Sequence, residues 1–316
     1  MTLSALLHSP PPQLGLSIDA GLVACARVTP GGGRLTISAH AVQRLPPGAV
    51  VPSLAGTNIA DPTATSAAVR GAVEALGGTS RRAALVLPDA AAKVSLVRLE
   101  TVPARAHDLR ELLRWHMRKS APFPIEQARV SYTAGTKTPG GGQEFVVCLA
   151  RHDVVAQYEQ TCEAAGLRVG LVDLASFSII NAAVASQPAS TGDWLLVSVA
   201  ASSTTLVVLR EGQLIFYRNR SEAGEGTLAD LVHQTSMYYE DRLQGQGFER
   251  VLLAGSSSMP AQAGASVQNL AERLRVPVTA FTSRAAVQFA GADPTPDVLD
   301  ALTPLAGVLL REARAA

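Results

Sequence analysis

Leu14-Gly15-Leu16-Ser17-Ile18-Asp19-Ala20-Gly21-Leu22-Val23-Ala24-Cys25-Ala26-Arg27-Val28 is the stretch whose reading decides the fold. Leu14 to Asp19 and Leu22 to Val28 are β-type runs joined by a small-residue turn, and Arg34 to Leu45 follows after Gly31, Gly32 and Gly33. Short apolar runs separated by turn residues predict an antiparallel meander. Ala67, Ala68, Ala72, Val73 and Leu76 then recur at helical spacing over Thr63 to Leu76, before a Gly77-Gly78 stop. Ala83 to Leu87 returns as a strand closed by Pro88.

The same order appears again about 180 residues later. Trp194 to Val199, Thr204 to Leu209 and Gln213 to Arg218 read as strands, the last two joined by Glu211-Gly212. A helix over Leu228 to Leu243 carries Leu228, Leu231, Val232, Thr235 and Tyr239 on one face, and Arg250 to Ala254 is a strand ending at Gly255. Two βββαβ halves imply an internal duplication and an α/β fold of the actin/Hsp70 (ASKHA) type, with a cleft between the halves. Residues 89–166 read as an inserted α+β subdomain. Its strands are Val94 to Leu99, Val130 to Thr133 and Phe145 to Ala150, and its helices His107 to Lys119 and Asp153 to Ala165. The first half is then 14–88, completed by 167–190 (a strand, Leu167 to Asp173, and a helix, Ala175 to Val184) and by a last helix over 296–314. The second half is 191–295.

Composition narrows the class. The 316 residues hold 27 basic and 26 acidic side chains, a net charge of +1, with 47% hydrophobic and 17% charged residues. A nucleic-acid binder would show basic excess, and a disordered chain low hydrophobicity, so neither is expected. The mean hydropathy of +0.19 raises the question of a membrane span. Trp194 to Leu209 is too short for one and is broken by Ser202, Ser203, Thr204 and Thr205. Cys25, Cys148 and Cys162 form no C-x-x-C pair and sit in apolar runs, which predicts buried free thiols in a reducing compartment. Met1 to Gln13 lacks a basic n-region and reads as a loose tail, not a signal peptide.

Candidate sites are few. Asp19-x-Gly21 at the first hairpin could hold a metal–phosphate complex, with glycine letting the backbone approach the phosphate. In the second half Ser198 is expected to replace that acid and Ala200 that glycine. Gly224-x-Gly226-x-x-Ala229 has dinucleotide-fingerprint spacing, but it follows a hairpin strand and lacks the distal acid, so a turn before a helix is the better reading. His8, His40, His107, His116, His152 and His233 show no ligand spacing, and Ser256 to Ser258 lack a nucleophile elbow, so no catalytic or metal residue is assigned. His152-Asp153 reads as a helix cap. Arg105, Arg110, Arg114, Arg118 and Lys119 outnumber Asp108 and Glu111 around the 107–119 helix. With Trp115 on its flank, that face is either solvated or a dock for an acidic or membrane-proximal partner.

At this point the chain resembles the PilM family, actin-like proteins of FtsA-type fold from type IV pilus assembly. The likeness is carried by Leu14-Gly-Leu-Ser-Ile-Asp-Ala-Gly21, Val86-Leu-Pro88, Arg114-Trp115 with Ala121-Pro-Phe-Pro124, Phe145 to Arg151, Ala164-Ala-Gly-Leu167 and Val172 to Phe177. The resemblance implies a cytoplasmic protein held peripherally at the inner membrane. Its partners would be the N-terminal tail of a PilN-like membrane protein and other pilus platform or motor proteins, with self-association left open. It implies a nucleotide cleft drawn from Asp19, Gly21, Ser203, Thr204, Gly255 and Ser256, and a partner surface at Arg110, Arg114, Trp115 and Arg118. Four departures point to a degenerate cleft. They are the missing second-half acid and glycine, Leu22-Val23-Ala24 in place of a Ser-Ser-x-Lys stretch after the first hairpin's glycine, Ala254-Gly-Ser-Ser-Ser258 in place of a Gly-rich adenosine motif, and a second-half insertion that is reduced or missing. No ATPase activity and no cofactor are therefore expected, with ATP and magnesium as the family-based alternative. A type II secretion platform component and an active actin-fold ATPase are the competing functions.

Overall fold

The computed structural model describes residues 11–30, 34–77, 81–138, 140–186, 192–221, 227–258 and 263–315. The opening stretch forms β1 (Leu14–Ile18) and β2 (Leu22–Pro30), antiparallel with Ile18 opposite Val23, and β3 (Leu35–Arg44) completes the meander. Helix α1 (Pro62–Leu76) leads to β4 (Arg82–Leu87), parallel to β1. The Asp61 carboxylate caps α1 by accepting from the Ala64 N–H at 2.9 Å, with Pro62 set in its first turn. The buried stripe of α1 is Thr65, Val69, Ala72 and Leu76, and Ala67, expected in it, is exposed.

The inserted unit is a three-stranded sheet, β5 (Ala92–Leu99), β6 (Ala128–Lys137) and β7 (Gln143–Arg151), with β7 central. Helix α2 (Ala106–Met117) covers one face, burying Leu109, Leu113 and Met117 against Phe145, Val147 and Leu149. Alternation along β7 turns Cys148 to the other side.

Helix α3 (His152–Ala164) differs from its expected place in the insert. Its Val154, Val155, Tyr158 and Cys162 pack with Leu14, Leu85 and Leu167, the core of the first half. The Asp153 carboxylate lies in the first turn, bonded to Arg151 and the Val154 N–H, while Arg151 occupies the cap position through its backbone. β8 (Arg168–Leu174) then joins β4 in parallel, and α4 (Ala175–Ser186) follows.

The second half repeats this with β9 (Trp194–Val199), β10 (Ser203–Arg210), β11 (Gln213–Ser221), α5 (Leu228–Leu243) and β12 (Arg250–Ala254). Helix α6 (Ala263–Leu274) and β13 (Val278–Phe281), not foreseen in the sequence, take the places of α3 and β8. The short α7 (Ser283–Ala286) and β14 (Gln288–Phe289) lead to α8 (Pro296–Ala315). The sheets run β14-β3-β2-β1-β4-β8 and β11-β10-β9-β12-β13, so both halves share one strand order around parallel central pairs. Residues 222–226, which hold Gly224 and Gly226 of the dinucleotide-like spacing, lie outside the described residues. Ala229 lies in α5, whose start is closed by a capping box between Thr227 and Asp230.

The two halves share a core. Ala24, Ala26, Ala84 and Val86 from one sheet and Leu196, Val207 and Leu252 from the other meet Ile179, Ala182, Leu302, Leu305 and Leu309 of α4 and α8. The helices cross at Gly307, where a Cβ would lie 1.7 Å from the Ser178 carbonyl oxygen. A mid-helix glycine costs about 1 kcal/mol relative to alanine, and the close approach is its compensation. No described helix is long and apolar enough to cross a membrane.

Candidate functional site

The two hairpins β1–β2 and β9–β10 point their turns at a shared cleft. In the first, the Asp19 N–H donates to the Leu22 carbonyl at 3.0 Å; in the second, the Ala200 N–H donates to the Ser203 carbonyl at 2.9 Å. With Ile18 opposite Val23 and Val199 opposite Thr204, Asp19 is matched by Ala200 and Gly21 by Ser202. The expected counterparts, Ser198 and Ala200, are therefore displaced, because Ser198 is the counterpart of Ser17 inside the strand. The second half still offers neither the acid nor the glycine at this turn.

The cleft has a volume of 120 Å³, and Asp19, Gly21, Ser198, Ala200 and Gly255 are among its lining residues. Ser203, Thr204 and Ser256, expected there, do not line it. Strand alternation instead aims Ser203 and Thr205 at the Asn219 amide, which donates to their hydroxyls at 3.0 and 2.8 Å. Burial pushes the Asp19 carboxyl above its usual range against a stabilising 2.7 Å bond from the Ala20 N–H, and nearby Asp89 adds to the rise.

Gly255 holds φ at 77°, and a Cβ there would fall 1.9 Å from the Val199 carbonyl oxygen. The loop behind it is already engaged. The Ser257 N–H donates to Asp300 Oδ2 at 2.8 Å, and its hydroxyl bonds the same oxygen. Asp300 comes from α8 and lines the cleft, so this chain's own carboxylate already holds the loop N–H next to the cleft-lining Gly255.

Beneath the cleft lies a polar network that motif reading missed. Asp89, directly after Pro88, is buried; its Oδ1 accepts from the Ser176 N–H at 3.0 Å and the Ser176 hydroxyl at 2.8 Å. Its Oδ2 accepts from the Thr205 hydroxyl at 2.7 Å, and the Ser176 and Tyr217 hydroxyls are 3.1 Å apart. Asp89, just ahead of the insert's first strand at Ala92, and Ser176 stand on the first-half side, Thr205 and Tyr217 in the second half. Burial raises the Asp89 pKa, opposed by these donors. Asp173 of β8 is likewise raised by burial, and Arg311 of α8, at 2.7 Å, works against that.

The larger openings lie elsewhere. Two grooves of 470 and 500 Å³ separate the insert from β8 and α4. Ser131, Cys148, Val172, Asp173 and Phe177 line both. Arg110 lines the 500 Å³ groove, whereas Arg114, Trp115 and Arg118 line neither. Arg114 donates to the Ile125 carbonyl at 2.7 Å, and Trp115 is 61% exposed on α2. The four residues expected to form one partner surface thus divide between a groove rim, an internal contact and an open helix face. All three cysteines are free, and burial pushes their thiols up to about 12. Among the described residues no group of three or more His, Cys, Asp or Glu could hold a metal ion.

Duplicated halves with one strand order, hairpin turns facing across a cleft, and a small α+β unit inserted in the first half define an actin-like fold protein. The family model of type IV pilus assembly protein PilM matches residues 15–277, and the chain belongs to that family. Among solved structures, the PilM–PilN type IV pilus biogenesis complex is similar at a TM-score of 0.77 and 20% identity, over 97% of this chain and 99% of that one. A Bacteroides thetaiotaomicron protein of actin-like ATPase fold and unknown function follows at 0.52 and 11%, over 93% and 96% of the two chains. The cytoplasmic domain of EpsL, an inner-membrane component of the Vibrio cholerae type II secretion system, gives 0.50 and 10%, over 96% and 94%.

Proposed function

We propose that the chain is a non-enzymatic scaffold of the type IV pilus assembly platform. It docks the N-terminal tail of a PilN-like membrane protein between the insert and the first half, on the cytoplasmic side of the inner membrane. The observation that carries this reading is where the room lies. The cleft of 120 Å³ falls below the roughly 300 Å³ at which small-molecule pockets begin, while the two grooves of 470 and 500 Å³ exceed it. Val172 and Phe177 give these grooves apolar walls, with Arg110 and Asp173 as charged contacts. The PilM–PilN complex among the similar structures supports a PilN-like partner. The cleft lacks an acid at Ala200, and Asp300 holds the loop at Ser257, which supports the absence of ATP turnover.

Calorimetry with a peptide of the PilN-like tail tests the docking. Binding is expected, and Ser131→Arg, an exposed position on the floor of both grooves, is expected to abolish it. Unchanged peptide affinity in that variant would place the tail elsewhere. Titration with ATP and magnesium is expected to show no heat of binding, and micromolar affinity sinks the non-enzymatic reading.

A further inference from the structure

We propose that the cleft between the halves binds a small primary alkylammonium ion, its charge balanced by Asp19 and Asp300. Asp19, Asp297 and Asp300 line this cleft, and no lysine, arginine or histidine does. Asp300 is 9% exposed, and Ser257 bonds only its Oδ2. Its Oδ1 is buried without a hydrogen-bond partner among the described residues. A buried polar atom left unmatched is costly, and a cation at the cleft wall offsets that cost. Asp19 stands at the β1–β2 turn. Among the described residues its carboxylate takes one hydrogen bond, from the Ala20 N–H, and Asp89 beneath the cleft adds a like charge. Asp297 has less need of a partner, because the Thr295 hydroxyl and Arg44 hold its carboxyl below its usual range. A cleft lined by one sign of charge and by apolar walls focuses its field on a counter-ion.

The lining also selects which cation. Phosphates are repelled by the same field, and the Ser257 N–H is already bonded to Asp300. A divalent metal needs more donors than converge here, since no group of three or more His, Cys, Asp or Glu among the described residues could hold one. Leu22, Val86, Ile179 and Val199 give the cleft an aliphatic wall. A short carbon chain can bury against such a wall while its ammonium head donates up to three hydrogen bonds to oxygens. The volume of 120 Å³ limits that chain to a few carbons, well below the roughly 300 Å³ of a drug-sized pocket. The amine and the tail use different openings, so neither reading depends on the other.

Calorimetry on the full chain tests this, with n-butylammonium chloride at constant ionic strength as the probe. The controls are n-butanol, which has the same chain without the charge, and magnesium chloride. Saturable binding of n-butylammonium alone is expected. Asp19→Asn and Asp300→Asn each keep an oxygen for the Ala20 or Ser257 N–H. Each is expected to weaken amine binding at least ~10-fold, the loss of one hydrogen bond to a charged group. Ala200 lines the cleft, so Ala200→Lys brings an ammonium of the chain's own and is expected to abolish binding, with circular dichroism confirming the fold. No binding of n-butylammonium, equal binding of n-butanol, or unchanged affinity in the three variants overturns the proposal. Binding of magnesium chloride in place of the amine overturns it in favour of a metal site.

Discussion

Replacing Asp89 with alanine tests whether the two halves are joined by the network beneath the cleft. The carboxylate is 6% exposed and accepts three hydrogen bonds between 2.7 and 3.0 Å from Ser176 and Thr205. Its removal leaves the buried Ser176 N–H and Thr205 hydroxyl without this acceptor, at about 1–3 kcal/mol for each orphaned group. The expected loss is about 3–5 kcal/mol, a drop in Tm of roughly 10 °C at about 2–4 °C per kcal/mol. Asp89→Asn keeps an oxygen for Ser176 and is expected to lose less. The pH dependence has a definite sign. Because burial raises the folded pKa above the ordinary 3.8, the native state holds this proton more tightly than the unfolded chain. That contribution is complete below about pH 4 and is lost as pH rises through the raised value. Asp89→Asn removes it, so the stability gap between wild type and Asp89→Asn is expected to narrow with rising pH. Thermal melts from pH 4 to 8 measure this. A melting point within ~2 °C of wild type for the alanine variant, or a gap that widens with pH, refutes the reasoning.

Two further substitutions probe the frame and a combined set probes the cleft. Gly307→Ala sets a Cβ 1.7 Å from the Ser178 carbonyl oxygen and about 3.2 Å from the Ala182 nitrogen, so α4 and α8 must part. A loss of about 3 kcal/mol in urea unfolding is expected, in the range of core overpacking, and a neutral result contradicts the crossing. Gly255→Ala combines φ 77° with a 1.9 Å clash against Val199, and a loss of about 2–4 kcal/mol is expected in the same assay. Ala200→Asp with Ser202→Gly restores the first hairpin's acid and glycine at the register-matched positions. No nucleotide affinity is expected to return until Asp300→Ala also frees the Ser257 N–H, and fluorescence titration with a labelled ATP analogue checks both steps.

The fold was legible where local pattern and packing agree. Helix α5 begins and ends where apolar spacing predicts, because Leu231, Val232, Thr235 and Tyr239 form one buried stripe behind a capping box. Strand β13 was hidden by its four-residue length, and α6 starts just after residues 259–262, beyond a Ser/Pro-rich stretch that reads as loop. Strand pairing sets the equivalence between the hairpins, and position near a strand end, which Ser198 and Asp19 share in the sequence, does not. Asp89 was invisible for a different reason. Its partners lie 87 and 116 residues away, and no local spacing marks a carboxylate that is completed only when the halves meet.

That network also bears on how the molecule could move. Closure and opening of a two-lobed enzyme around its ligand require an interface whose contacts can be broken and remade at little cost. Here, separating the halves would exchange the Asp89–Thr205 and Ser176–Tyr217 hydrogen bonds for bonds to water. At a net of about 0.5–1.5 kcal/mol each, opening costs roughly 1–3 kcal/mol before the apolar core at α4 and α8 is disturbed. A nucleotide could drive such opening only with an equal difference in affinity between the closed and open states. On the non-enzymatic reading proposed above, a cleft of 120 Å³ with the Ser257 N–H bonded to Asp300 would supply little of it. In the proposed scaffold the same stiffness would let a rigid body transmit position from a docked PilN-like tail to a partner on the opposite side.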